Sequence, residues 1–67
     1  MSKNALLSKA LKEVGSRFLL VNLLTKRIRQ LKDGAVPRVE RGTNLSVEDI
    51  ALREIAEGKV TPSDFMD

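Results

Sequence analysis

The chain has 67 residues, a net charge of +3 and neither Cys nor His. That length allows one domain with a modest core. The composition excludes disulfides, Cys/His zinc sites and the usual nucleophile–base constellations. Hydrophobic residues make up 42% and charged residues 31%, which fits a folded helical chain rather than a disordered one, and so mild a net charge does not by itself indicate nucleic-acid binding.

The first expected element is NALLSKALKEV, residues 4–14. Leu7, Ala10, Leu11 and Val14 fall at helical spacing on one face. Asn4 suits a cap and Gly15 a C-terminal stop. The apolar patch at residues 5–7 is broken by Ser8, Lys9 and Lys12, so it does not make a secretory signal. No apolar run is long enough to span a bilayer, and the expected location is the cytoplasm.

A second helix is expected from about Ser16 to Asp33, with Ser16 as cap and Gly34 as terminator. At about 100° per residue, Leu20, Val21, Leu24, Ile28 and Leu31 share an arc of roughly 100°, an ordinary core stripe. Phe18, Leu19 and Leu23 lie outside that stripe as surplus apolar surface. Lys26, Arg27, Arg29 and Lys32 lie off it too. RFLLVNLL followed by TKRIRQLK therefore makes one helix that is oily at its start and basic at its end.

Residues 34–45, GAVPRVERGTNL, read as an extended polar connector, because Pro37 disfavours helix at Val36 and glycines flank the segment. So long a connector inside a small domain is usually functional or lies against something else. The third helix is the clearest. Ser46 caps it, Glu48 and Asp49 sit in its first turn, and Gly58 ends it. Val47, Ile50, Ala51 and Ile55 form its stripe, and Asp49–Arg53 and Arg53–Glu57 are i,i+4 pairs of opposite charge. A further short turn is expected next, with Thr61 as its cap, Pro62 at its first helical position and Asp64 in its first turn. The whole is expected to be an all-α single domain over residues 1–67: three main helices, a short C-terminal turn and a long connector between the second and third helices.

These residues supply no chemistry for catalysis. Glu48 and Asp49 are adjacent, so they point about 100° apart on a helix and serve as first-turn charges. DGAVPRVERG lacks the Gly-Lys-Ser/Thr ending of a phosphate loop. What remains is surface. Phe18, Leu19 and Leu23 read as a protein-contacting face, and the alternative is that neighbouring helices wrap both sides of the second helix. Lys26, Arg27, Arg29 and Lys32 read either as a solvated face or as phosphate contacts of a small nucleic-acid-binding regulator. A membrane-surface helix fits less well, because apolar and basic residues segregate along the axis rather than by face. A homo-oligomeric bundle would also hide the surplus face.

The second-helix pattern RFLLVN…KRIRQL, followed by IALREIAEGKV in the third, resembles the omega subunit of bacterial DNA-directed RNA polymerase. The likeness runs from about Glu13 to Val60. It implies a compact, mostly helical accessory subunit without an active site or cofactor. Such a subunit clamps beta-prime within the alpha2-beta-beta-prime-omega core, and aids its folding and the assembly and stability of the core. DNA is reached only indirectly, through that complex. The resemblance makes Arg17, Arg27, Arg29 and Arg53 suited to carboxylates or backbone carbonyls of beta-prime. The expected interface is Arg17, Phe18, Leu19, Leu23, Arg27, Arg29, Gln30, Leu52 and Arg53. Leu19 stands where family members often carry an acidic residue, and Leu24 and Thr25 where alanines are common, which makes this helix greasier than is typical. Some relatives start Met-Ala-Arg and bind guanosine tetraphosphate at the junction with beta-prime. This chain starts MSKN, with only Lys3 as a nearby charge, and that site is not carried over.

Overall fold

Local signals place the helix ends. The computed structural model describes residues 3–40 and 45–65. It contains α1 (Lys3–Val14), α2 (Arg17–Lys32), α3 (Val47–Ala56) and a 3-10 helix (Pro62–Phe65), and no strand among the described residues. The Ser16 hydroxyl accepts the Leu19 N–H at 3.3 Å, and the Ser46 hydroxyl accepts the Asp49 N–H at 3.2 Å while donating to the Asp49 carboxylate at 2.9 Å. Each thus satisfies a donor that the first helical turn leaves unpaired. At the other end of α3, Gly58 takes φ +72°, Lys59 N–H reaches the Glu54 carbonyl at 2.8 Å and Gly58 N–H that of Ile55 at 3.1 Å. This pair of bonds closes the helix around a left-handed residue that glycine adopts without steric cost. α2 closes the same way through Gly34 and Ala35.

The N-terminal cap expectation fails. α1 already includes Asn4, which therefore lies inside the first turn rather than before it. Residues 1–2 of the MSKN start and residues 41–44 of the connector lie outside the described ones. The final turn forms at Pro62, but the capping group is the Asp64 carboxylate, which accepts the Thr61 N–H at 2.7 Å.

α3 is the central element and packs against both α1 and α2, while α2 also touches the 3-10 helix. A helix held from two sides buries more than one stripe. Ile50, Ala51, Leu52, Glu54, Ile55 and Ala56 are all buried. Leu52, expected at a partner interface, is instead 7% exposed and part of the chain's own core. That core gathers Ala10, Leu20, Leu23, Leu52, Ile55, Ala56 and Val60, with Leu6, Leu11, Val14, Leu24 and Phe65 packed around it. Packed helices sit about 8–10 Å apart, and their Cα cylinders are about 2.3 Å in radius. A Cα trace only 15 Å deep therefore holds two helix layers and no third, so among the described residues nothing stands above an outward face of α2.

The buried side of α2 is rotated from the expected stripe. Leu20, Leu23 and Arg27 are its buried residues, whereas Val21 is 57% exposed. Leu24, Ile28 and Leu31 are half-buried. On a 100° wheel the inner face formed by these three buried residues is centred about 80° away from the expected arc, with Arg27 near its middle. The expectation treated every charge as outward. Arg27 points inward, and Leu23 turns in with it.

Candidate partner-docking face

Two features define what this fold can do: a polar lock inside and an apolar ridge outside. The lock joins α2 to α3. Arg27 and Glu54 are 3% and 0% exposed. The Arg27 guanidinium donates to Glu54 through Nε at 2.7 Å and Nη2 at 2.6 Å, a two-pronged pairing that fits the planar fork to the carboxylate. Arg27 Nη1 donates to Gln30 Oε1 at 3.1 Å, and Nη2 also reaches the Val36 carbonyl at 3.2 Å. Glu54 accepts a third bond, from the Arg38 backbone N–H at 2.7 Å. The hydrogen bond to Glu54 holds the Arg27 guanidinium above an arginine's ordinary value, against a smaller opposing effect of burial.

The lock also positions the connector. Val36 and Arg38 are tied to it through their backbones, and the Arg38 side chain donates to the Lys59 carbonyl at 2.8 Å and pairs with Asp64 at 3.1 Å. The first part of the connector is therefore fastened over the α2–α3 junction. Val36, held at this point, is 81% exposed. The Asp64 carboxyl lies below the ordinary aspartate range, first because it accepts the Thr61 N–H and then because of Arg38.

The ridge lies on the opposite side of α2. Phe18 is 75% exposed, Val21 57% and Leu19 45%. Apolar clefts flank it. On one side Val21, Leu20 and Leu24 face Leu7 and Leu11 of α1, with Arg17 at the rim. On the other, Leu19 and Leu23 meet Pro62 and Phe65, with Lys26 about the rim; its ammonium stands 6.0 Å from the Phe65 ring centroid, at the outer reach of a cation–π contact. Phe18 stands between the two clefts.

Of the residues the sequence assigns to an interface, Arg17, Phe18, Leu19, Arg29 and Gln30 are exposed and Arg53 is half-buried. Arg53 lies 3.9 Å from Glu57, and the Gln30 amide oxygen is engaged by Arg27. Leu23, Arg27 and Leu52 are buried by the chain itself and leave almost no side-chain surface for a partner. Sequence reasoning missed Val21 and Leu7, both assigned to the core, and Glu54, which no pattern singled out. A signal for Glu54 was present: it falls within the very arc drawn by Ile50, Ala51 and Ile55, an acid amid apolar neighbours that needs a cation from another helix.

Among the described residues, no group of three or more His, Asp or Glu side chains is placed to hold a metal ion, and no helix is long and apolar enough to cross a membrane. Fold and site together define a small all-helical chain with an ion-paired interior and an uncovered apolar helix face.

The sequence pattern of the family described as RNA polymerase Rpb6 matches residues 9–62. The chain is 47% identical over 55 residues to the DNA-directed RNA polymerase subunit omega of Helicobacter hepaticus, covering 79% of this chain and 74% of that one. It is 51% identical over 51 residues to the subunit omega of Geobacter sp. strain M21, covering 75% and 74%. With the subunit omega of Syntrophobacter fumaroxidans the identity is 55% over 51 residues, which are 76% of this chain but 40% of that longer relative. No solved structure matches. The chain belongs to the RNA polymerase Rpb6 family, and these relatives in it are omega subunits of DNA-directed RNA polymerase.

Proposed function

We propose that this chain is a non-catalytic accessory subunit of bacterial RNA polymerase that binds beta-prime and promotes its folding and its assembly into the core. One observation carries the reading. A helix of the family's matched segment holds Phe18, Leu19 and Val21 out to solvent, with a cleft on either side, and none of the described residues covers them. Exposed apolar patches of this kind mark protein-contact surfaces. The bound partner supplies the missing wall, while the buried ion pair keeps α2 in register to present it. The docking residues are Arg17, Phe18, Leu19, Val21 and Arg29, with Arg53 and Gln30 at the margin. Leu23, Arg27 and Leu52 support the face from within.

The nucleic-acid reading loses ground on one observation. Arg27, central to the cationic set Lys26, Arg27, Arg29 and Lys32, is consumed by Glu54 inside the fold. The remaining cations resemble the rim of a protein-binding face more than a phosphate track.

Co-expression tests the proposal. Tagged chain is expected to recover beta-prime from cells and to raise the yield of refolded beta-prime. Tagged chain that brings down no polymerase subunit, or that leaves beta-prime refolding unchanged, contradicts it.

A further inference from the structure

The outer face of α2 has a charge pattern that selects among protein partners. α2 carries no acidic residue at all. On a 100° wheel, Phe18, Val21, Asn22, Thr25, Arg29 and Lys32 share its outward side. Phe18 and Val21 form the apolar end and Arg29 and Lys32 the cationic end, and all of them are exposed. Between the two ends, Asn22 donates its side-chain amide to the Phe18 carbonyl at 3.0 Å and Thr25 its hydroxyl to the Val21 carbonyl at 2.9 Å. The middle of the face is thus neutral and satisfied by its own helix. Neither Arg29 nor Lys32, nor Arg17 at the other end, pairs with a carboxylate among the described residues.

From this complementarity we infer that α2 docks an acidic amphipathic segment of a protein, with apolar side chains over Phe18 and Val21 and carboxylates against Arg29 and Lys32. The inference rests on the polymerase-subunit reading and narrows it to one stretch of partner chain. Spacing sets the pattern to look for. Val21 and Phe18 lie about 12 and 16 Å along the helix from Arg29 at about 1.5 Å per residue. Lys32 lies three residues further on, so a helical partner segment places its carboxylates about 8–14 residues from its apolar pair. The two ends also act differently in time. Cations at a rim accelerate encounter with an acidic partner and do so less as salt rises, whereas a desolvated aromatic anchor slows departure.

The experiment uses the full chain and core polymerase from the same source prepared without this subunit. A photo-crosslinking side chain placed at position 25, in the neutral middle of the face, is irradiated in the reconstituted core, and the linked peptide is identified by mass spectrometry. A peptide of a polymerase subunit with carboxylates at the stated spacing from an apolar pair is the expected result. In parallel, the Arg29→Glu/Lys32→Glu double variant is expected to slow association about tenfold at low salt, converging on the parent at high salt. Phe18→Ala is expected to speed dissociation about tenfold or more with association little changed. A chain that joins the core with no link from position 25, a link to a peptide without carboxylates, to nucleic acid or to a second copy of this chain, or kinetics indifferent to the charge reversal overturns the inference while leaving the subunit reading in place. A chain that does not join the core overturns both.

Discussion

The two sides of α2 invert the usual distribution of residue types. Its inner side encloses an arginine, and its outer side leaves a phenylalanine 75% exposed. The inside is tolerable because Arg27 arrives with partners: a carboxylate, an amide oxygen and a backbone carbonyl take its N–H groups. No described buried side-chain N or O lacks a partner. The outside has no such compensation among the described residues. The difference teaches that burial here follows satisfaction rather than hydropathy. Charges with a matched fork go in, and apolar groups that two helix layers cannot reach stay out.

Disrupting the inner side gives the largest effects. Arg27→Ala or Glu54→Ala strands the other charge in the interior and is expected to cost about 3–5 kcal/mol, comparable to the whole stability of a domain this size. Urea melts followed by circular dichroism are expected to show the helices largely lost. Arg27→Met combined with Glu54→Leu is expected to recover most of that loss, since a well-packed apolar pair replaces a buried ion pair at little cost. A double variant as unstable as the singles contradicts the pairing.

Next comes a contrast between two apolar residues of α2, one on each side. Leu23→Ala opens a cavity in the core and is expected to cost about 2–5 kcal/mol. Phe18→Ala, on the ridge, is expected to move the melt by no more than about 0.5 kcal/mol. Equal effects erase the distinction between the two sides.

Smaller still is the cap of α3. Ser46→Ala removes the hydroxyl that accepts the Asp49 N–H and donates back to its carboxylate, at an expected cost of about 1 kcal/mol. The smallest effect belongs to Asp64. Its folded-state value lies below the ordinary aspartate value of about 3.9. Its contribution is therefore present above that value and is lost as pH falls through the lower folded one. Asp64→Asn is expected to leave neutral-pH stability nearly unchanged and to flatten slightly the acid limb of a pH titration. Arg27 adds no such dependence, because it stays charged at any pH at which the chain is handled.

The sequence was legible where the signal is local. Ser16, Ser46, Gly34 and Gly58 mark helix ends through hydrogen bonds within a few residues, and α2 and α3 end within a residue or two of the expected places. It was illegible where a residue's side is decided by a partner far along the chain. Arg27 and Glu54 are 27 residues apart, and neither looks interior alone. Missing that pair turned the α2 wheel by about 80°, moved Leu23 to the outside and hid Val21 inside. The idea of an uncovered apolar face survived because Phe18 and Leu19 lie outside either version of the core arc. Leu52 was misplaced for a related reason: α3 is covered from two sides, which a single-stripe reading does not anticipate.

Hydroxyl-radical footprinting of the two phenylalanines tests the central claim most directly. In the free chain, Phe18 is expected to oxidise readily and Phe65, packed on the core, more slowly. Adding beta-prime is expected to protect Phe18 strongly. A Phe18 already shielded in the free chain, or oxidised equally with and without beta-prime, contradicts the account.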